Sequence, residues 1–369
     1  MTRFTVLVVL ISLVLLCDSN ARAWSGKEHI QLTRIAFERL LADPAAPQSL
    51  KDWIKQISPH LYDMKQEEAF YKTAHIGNTD GKDLTGIEYW VVAPDIHAQK
   101  DPKGTLIQPF GVAELPMHFI DLELFVTGDA PREYKHDLSS KPKLENIPHD
   151  MKDPRFLQAG MLPFSIEWAY KNFVTAVKAG KLAPTDPKST DLSDDNALRW
   201  GGYLFHYIED NTQPQHATID YKSEKYFAEK FRGRNAHAEM EYRMCDDEKD
   251  TFPELRVAFF EKFTAQLDAI KDPGETTDLF KGTLETSMAS YDALPLIGLA
   301  AMKASGQQGT PEAPTGKAKQ IDTVAFFNYA GELHGKPTTV LEMKAYQTAW
   351  AARRVEKILL QAWNEAEKK

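Results

Sequence analysis

The sequence predicts an all-α fold, and three observations carry that expectation. Apolar residues recur at helical spacing in several long windows, alternating strand patterns are scarce, and only Cys17 and Cys245 are present, too few for a disulfide-stapled β scaffold. Taken in order, the chain opens with Arg3, an apolar run from Phe4 to Leu16, and the triplet Ala21-Arg22-Ala23. This is the pattern of a signal peptide, residues 1–23, cleaved before Trp24. The apolar run of about 13 residues falls short of the roughly 20 that span a bilayer, so it is not read as an anchor. Lipidation at Cys17 would need small residues where Leu15 and Leu16 stand. The expected mature chain is therefore exported, periplasmic or extracellular, with no transmembrane segment.

Beyond Trp24, Leu32, Ile35, Ala36 and Leu40 predict the first amphipathic helix. Gly77 to Leu115 is rich in Gly, Pro and Asp and reads as a long irregular loop. Ile166, Phe173 and Val177, after Pro163, predict a further helix, and LRWGGYLFHYIED predicts another that Pro214 brings to an end. Residues 304–318, with GQQGTPEAPTG at their centre, read as a flexible connector. Thr339 to Glu367 then carries Leu341, Tyr346, Trp350, Val355, Ile358 and Leu359 at helical spacing. The expected organisation is a helical catalytic domain over 24–303, the connector over 304–318, and C-terminal helices over 319–369 packed on the same domain. No internal repeat and no Gly-rich phosphate loop is present.

The full chain carries a formal charge of −9. Loss of Arg3, Arg22 and Asp18 with the leader leaves 42 basic against 52 acidic side chains. Such a surface does not favour non-specific binding of duplex DNA or anionic lipid, which depends on clustered Lys and Arg. Attraction for a phosphate must come from a site. With only Cys245 left in the mature chain, any metal there is held by His, Asp and Glu.

The densest such chemistry is LRWGGYLFHYIEDNTQPQH, where His206 and Asp210 share one helical face and His216 follows Pro214. His237 and Glu241 repeat the four-residue spacing in NAHAEMEYR, and Asp95 (VVAPDIH) and His118 (LPMHFIDLE) precede them. Five His-x-x-x-acid pairs occur in all, and any one alone reads as a solvated helix-face pair. The order is more informative: Trp24, His29, Asp95, His118, His206-x-x-x-Asp210, His216, His237-x-x-x-Glu241.

That order resembles the zinc-dependent phospholipase C family and its relatives, the single-strand-specific zinc nucleases, from Trp24 to about Glu241. The resemblance implies a multi-helix single domain with long irregular loops and a three-zinc site. It implies a first zinc on Asp95, His118, His206 and Asp210, and a second on His216, His237 and Glu241. The third would take the amine and carbonyl of Trp24, with His29 and the shared Asp210. Three Zn²⁺ ions would outweigh the three carboxylates and make a cationic pocket in an acidic protein, able to draw a phosphodiester and activate water for in-line attack. Asp95 is then also the catalytic proton acceptor.

The gap from Asp95 to His118 is longer than the family's, so Asp101, Asp80 and Asp83 compete with Asp95, and His97 is a further alternative ligand. Asp121 reads as structural, and His60, His75, His136, His149 and His334 have no place in the ordered set. LPMHFIDLE and GMLPFSIEWAY look phospholipase-like, while the short Trp24–His29 spacing looks nuclease-like. The expected activity is a secreted phospholipase C-like phosphodiesterase, with a single-strand-specific endonuclease or 3′-nucleotidase as the alternative. The non-enzymatic reading is a helical protein with structural zinc. It is disfavoured because structural sites are closed, four-ligand and usually Cys-containing.

Overall fold

The first helix is set by its cap. The Ser25 hydroxyl accepts from the Glu28 backbone N–H, and the Glu28 carboxylate accepts from the Ser25 N–H, both at 3.3 Å. This reciprocal box starts α1, Gly26–Ala42, directly after Trp24. In this computed structural model the described residues are 24–58, 84–100, 114–126, 141–228 apart from positions 185, 187, 188, 192 and 194, then 235–244 and 251–368. The leader, Asp80, Asp83, Asp101, His60, His75 and His136 lie outside them.

After α1 come α2 (Gln48–Ile57), α3 (Ile87–Lys100), α4 (Leu162–Lys178), α5 (Ala197–Asp210), α6 (Pro253–Ala269), α7 (Leu279–Tyr291), α8 (Leu294–Ala304), α9 (Thr323–Asn328) and α10 (Val340–Glu367). The described residues are thus mostly helical. The central helix is α5, flanked by α3, α4, α10 and α1. Phe205 of α5 meets Phe37 of α1 edge-on at 5.7 Å, and Trp53 of α2 links Phe173 of α4 (5.6 Å) to Trp363 of α10 (5.2 Å). This aromatic core anchors one side of α5, while His206, the next residue, serves the candidate site.

Three expectations change here. Gly77 to Leu115, read as irregular loop, contains α3, with Pro94 inside it. β-branched and aromatic residues with an internal proline are poor helix formers, but Trp90, Val91, Val92, Ala93 and Ile96 are all buried, so packing outweighs propensity. Gly202 of α5 permits the close approach: a Cβ there would stand 2.5–2.6 Å from the Trp90 main chain. The stretch read as connector holds an antiparallel hairpin, β1 (Gln308–Thr310) with β2 (Ala313–Thr315), its turn chemistry supplied by the same Gly and Pro residues that suggested a linker.

A second hairpin, β3 (Ala330–Leu333) with β4 (Lys336–Thr339), interrupts the segment expected to be wholly helical. It leads straight into α10, whose cap repeats the reciprocal box with Thr339 and Glu342. Val355, Ile358 and Leu359 of α10 are buried, whereas Tyr346 is 41% exposed and Trp350 half-buried, donating from Nε1 to the Pro273 carbonyl at 2.8 Å. Lys344, Gln347, Thr348 and Arg354 are buried on the same helix. No helix among the described residues is long and apolar enough to cross a membrane.

Candidate metal centre

His206 and Asp210 lie on one face of α5, a single turn apart, and the helix ends at Asp210. The His206 Nδ1–H donates to the Val91 carbonyl of α3 at 2.8 Å. That bond turns Nε2 inward, 3.3 Å from Asp210 Oδ2 and 3.9 Å from Asp95 Oδ1. His118 closes the 3₁₀ turn Leu115–His118. Its Nδ1 lies 3.0 Å from Asp210 Oδ2 and 3.9 Å from Asp95 Oδ1. Gly160 holds this turn in place: at φ 96° its Cα faces the Phe119 carbonyl, where a Cβ would stand at 2.2 Å. Met161 N–H then donates to the Pro116 carbonyl at 2.7 Å. Asp95, His118 and His206 form one buried donor group, with ligand atoms within 4.8 Å of one another.

His29, His206 and Asp210 form a second group on the same scale. The His29 ring stacks on His206 at 4.0 Å, and its Nε2 sits 3.4 Å from Asp210 Oδ1. Its Nδ1 is held by Glu209 Oε2 at 2.6 Å, while the Thr33 hydroxyl donates to Glu209 Oε1 at 2.9 Å. The Trp24 indole is fully buried and donates from Nε1 to the Glu209 carbonyl at 2.9 Å. Burying an indole removes roughly 200 Å² from water, on the order of 5 kcal/mol. This exceeds the ~1–2 kcal/mol of ordering one backbone residue, so burial of the indole favours holding Trp24 in place. Glu209 was missed in the sequence. Its signal was a carboxylate inside the apolar run YLFHYIED, next to a ligand candidate.

The third group is His216, His237 and Glu241. His216 lies in the 3₁₀ turn Pro214–Ala217, and its Nδ1–H donates to the His118 carbonyl at 2.8 Å, so the first and third groups share a strut. His237 sits on the short turn Ala236–Ala238, capped by the Asn235 side chain, and Glu241 on the π-turn Glu239–Arg243 that follows. Glu241 Oε1 contacts His237 Nε2, lies 3.7 Å from His216 Nε2, and accepts from Gln213 Nε2 at 2.9 Å.

Several of these buried donor atoms lack a hydrogen-bond partner: His29 Nε2, His118 Nε2, Asp210 Oδ1, His237 Nδ1, and Glu241 Oε2. An unpartnered buried polar atom costs about 1–3 kcal/mol, and these groups are of a kind that could hold a metal ion. Burial pushes the Glu241 carboxyl well above, and the His237 imidazole down to about 3 from, their ordinary values. Burial, then His206, holds His29 well below the usual imidazole range. Burial also opposes charge on Asp210, but His206 and hydrogen bonds from His118 and His206 hold its carboxyl well below the carboxylate range. His206 itself rises to about 9: Asp210 overcomes the burial that would lower it. Neutral His29 and His237 and an ionised Asp210 are in the protonation states that ligate a divalent metal, whereas His206 and Glu241 would each have to give up a proton to do so.

The remaining candidates fall elsewhere. His97 is buried against Tyr203, its Nδ1 2.7 Å from the phenol oxygen, and joins none of the three groups. Asp121 is likewise outside them, its carboxyl raised by burial and then by Glu123. His149 stacks on Phe280 at 4.0 Å and meets Glu167, and His334 is exposed on the β3–β4 hairpin. Compared with known proteins, the chain matches no family model, no curated protein and no solved structure.

Proposed function

We propose that this chain is a zinc-dependent phosphodiester hydrolase of the phospholipase C and single-strand nuclease type, exported and cleaved before Trp24. The observation that supports this most is the trio of buried His/Asp/Glu groups, two of which share His206, that carry unpartnered inward atoms. All-nitrogen and oxygen donor sets suit Zn²⁺, and the expected sites reuse these residues: Asp95, His118, His206 and Asp210; His216, His237 and Glu241; and His29 with Asp210 and the Trp24 main chain. Zinc bound there would polarise a phosphoryl oxygen and supply water of lowered pKa.

The protein's own part is orientation and proton handling. Val91, Glu209 and the His118 carbonyl fix the Nδ1 atoms of His206, His29 and His216, leaving each Nε2 for the centre. Asp95, 5% exposed, is the carboxylate placed to accept a proton from the attacking water at Oδ1. A purely structural metal role fits less well, because His216, His237 and Glu241 supply three protein ligands and leave a position open.

Phospholipid is the preferred substrate class. The short Trp24–His29 spacing favours single-stranded nucleic acid as the second reading. The test is a panel of phosphatidylcholine, single-stranded DNA, RNA and 3′-nucleotides, run on protein of measured zinc content. Hydrolysis that is lost on chelation and restored by zinc supports the proposal. Full turnover after exhaustive chelation overturns it.

A further inference from the structure

Lys344 is a fully buried lysine on α10, more than 300 residues along the chain from Glu28, the side chain it meets. Its Nζ lies 2.7 Å from Glu28 Oε1 and donates to the Met240 carbonyl. The same ammonium lies 5.0 Å from the Trp24 ring centroid and 5.9 Å from those of Phe259 and Phe327. Withdrawing an ammonium from water costs several kcal/mol, which a counter-charge, a carbonyl and three aromatic faces offset. An apolar residue would fill this space without that cost.

The partners explain the choice. Glu28 is the capping-box residue of α1 and immediately precedes His29; Met240 immediately precedes Glu241 on the π-turn. The Trp24 ring is held at its edge by the Glu209 carbonyl and covered on its face by Lys344. One charged atom therefore touches the segment bearing His29, the segment bearing Glu241, and the indole at the start of the mature chain. Asp95, on α3, has no part in this contact set.

We infer that Lys344 is a positioning residue that joins two of the three donor groups, those of His29 and of Glu241, through a single buried ammonium contributed by the C-terminal helix. It touches no reacting atom; it acts by fixing the spacing between α1 and the π-turn. The inference rests on the metal-centre reading above. It makes α10 part of the site, although the sequence places that helix outside the catalytic segment.

The test is zinc binding by the chelated and reconstituted full chain, measured as stoichiometry and affinity for the wild type, for Lys344→Met, and for the double variant Lys344→Met with Glu28→Gln. Lys344→Met alone leaves the Glu28 carboxylate buried without this partner and lowers stability. The double variant removes both charges, so its melting temperature in chelator recovers towards wild type while the bridge to the Met240 carbonyl stays broken. The expected result is zinc affinity weakened about 10- to 100-fold at the His29 and Glu241 groups in both variants, the range for outer-shell orienting residues, with the Asp95 group unchanged. Wild-type stoichiometry and affinity in the double variant would overturn the inference, and so would recovery of zinc affinity in step with stability. If the wild-type chain itself takes up no zinc, it is the metal-centre reading that fails.

Discussion

The two donor groups that meet at Asp210 and the group around Glu241 are built differently. The first two draw on α1, α3 and α5, long helices locked by the aromatic core, with His118 alone on a 3₁₀ turn, and the rings of His29 and His206 are each oriented through Nδ1 by a named acceptor. The third is assembled from a 3₁₀ turn, a three-residue helix and a π-turn, and the His237 Nδ1 has no hydrogen-bond partner to orient its ring. A donor set on packed helices keeps its geometry without an ion, because core packing decides where the side chains lie. A donor set on short turns depends on the ion, or on struts such as Gln213 and Lys344, to hold its shape. On the proposed metal reading, the contrast separates a preorganised part of the centre from a part that binding would complete.

The sharpest way to break this contrast is Asp210→Asn, since Asp210 belongs to the rigid part and faces both His29 and His206. Phosphodiesterase activity is expected to fall by more than ~100-fold, beyond the usual outer-shell range, with loss of zinc from both helical groups. Wild-type turnover would remove the shared-carboxylate arrangement. Glu209→Gln comes next: zinc affinity of the His29 group should drop about 10- to 100-fold, measured by competition with a chelator, while that of the Glu241 group holds. Equal losses at both groups would mean that the helical part is no more independent than the turn part.

Glu241→Asp probes the other side. The irregular turn can shift to follow a shorter arm, so zinc affinity there should fall by only about tenfold, at the low end of ligand-shell effects; unchanged affinity would argue that Glu241 is not a ligand. The smallest effect concerns pH. His206 is raised from 6.5 to about 9 in the metal-free protein. A raised folded-state value stabilises fully below the unfolded pKa and is lost as pH climbs through the folded one. The chelated protein should therefore melt a few degrees lower at pH 9.5 than at pH 6.5. The zinc-loaded protein should not follow this trend, because the metal has replaced the His206 proton. A matching fall in the loaded protein would trace the effect to groups elsewhere.

Much of the site is legible in sequence because ligand chemistry is a matter of residue type, and His-x-x-x-acid spacing on a helix is a local property. His206 and Asp210 on one helical face, and the helices starting after Trp24 and after Thr339, follow from periodicity and caps within a few residues. The placement of Asp95 is not local. Its helix contains Pro94 and reads as loop by propensity, and it exists where burial on every side and the Gly202 contact with Trp90 outweigh that preference. The hairpin at Gln308–Thr315 escaped for the opposite reason, since Gly and Pro mark a tight turn as readily as a linker.

By itself, then, the sequence determined the helical class, the types and order of the candidate donors, and the capped helix that follows Trp24. Only the tertiary structure decided that Asp95 and not His97 joins His118 and His206, that Glu209 orients His29, and that Lys344 reaches from α10 to Glu28 and the π-turn. The physical reason is that a buried charge takes its role from whatever stands within a few ångströms of it. In this chain those neighbours lie 88 residues away for His118 and His206, and 180 for His29 and Glu209.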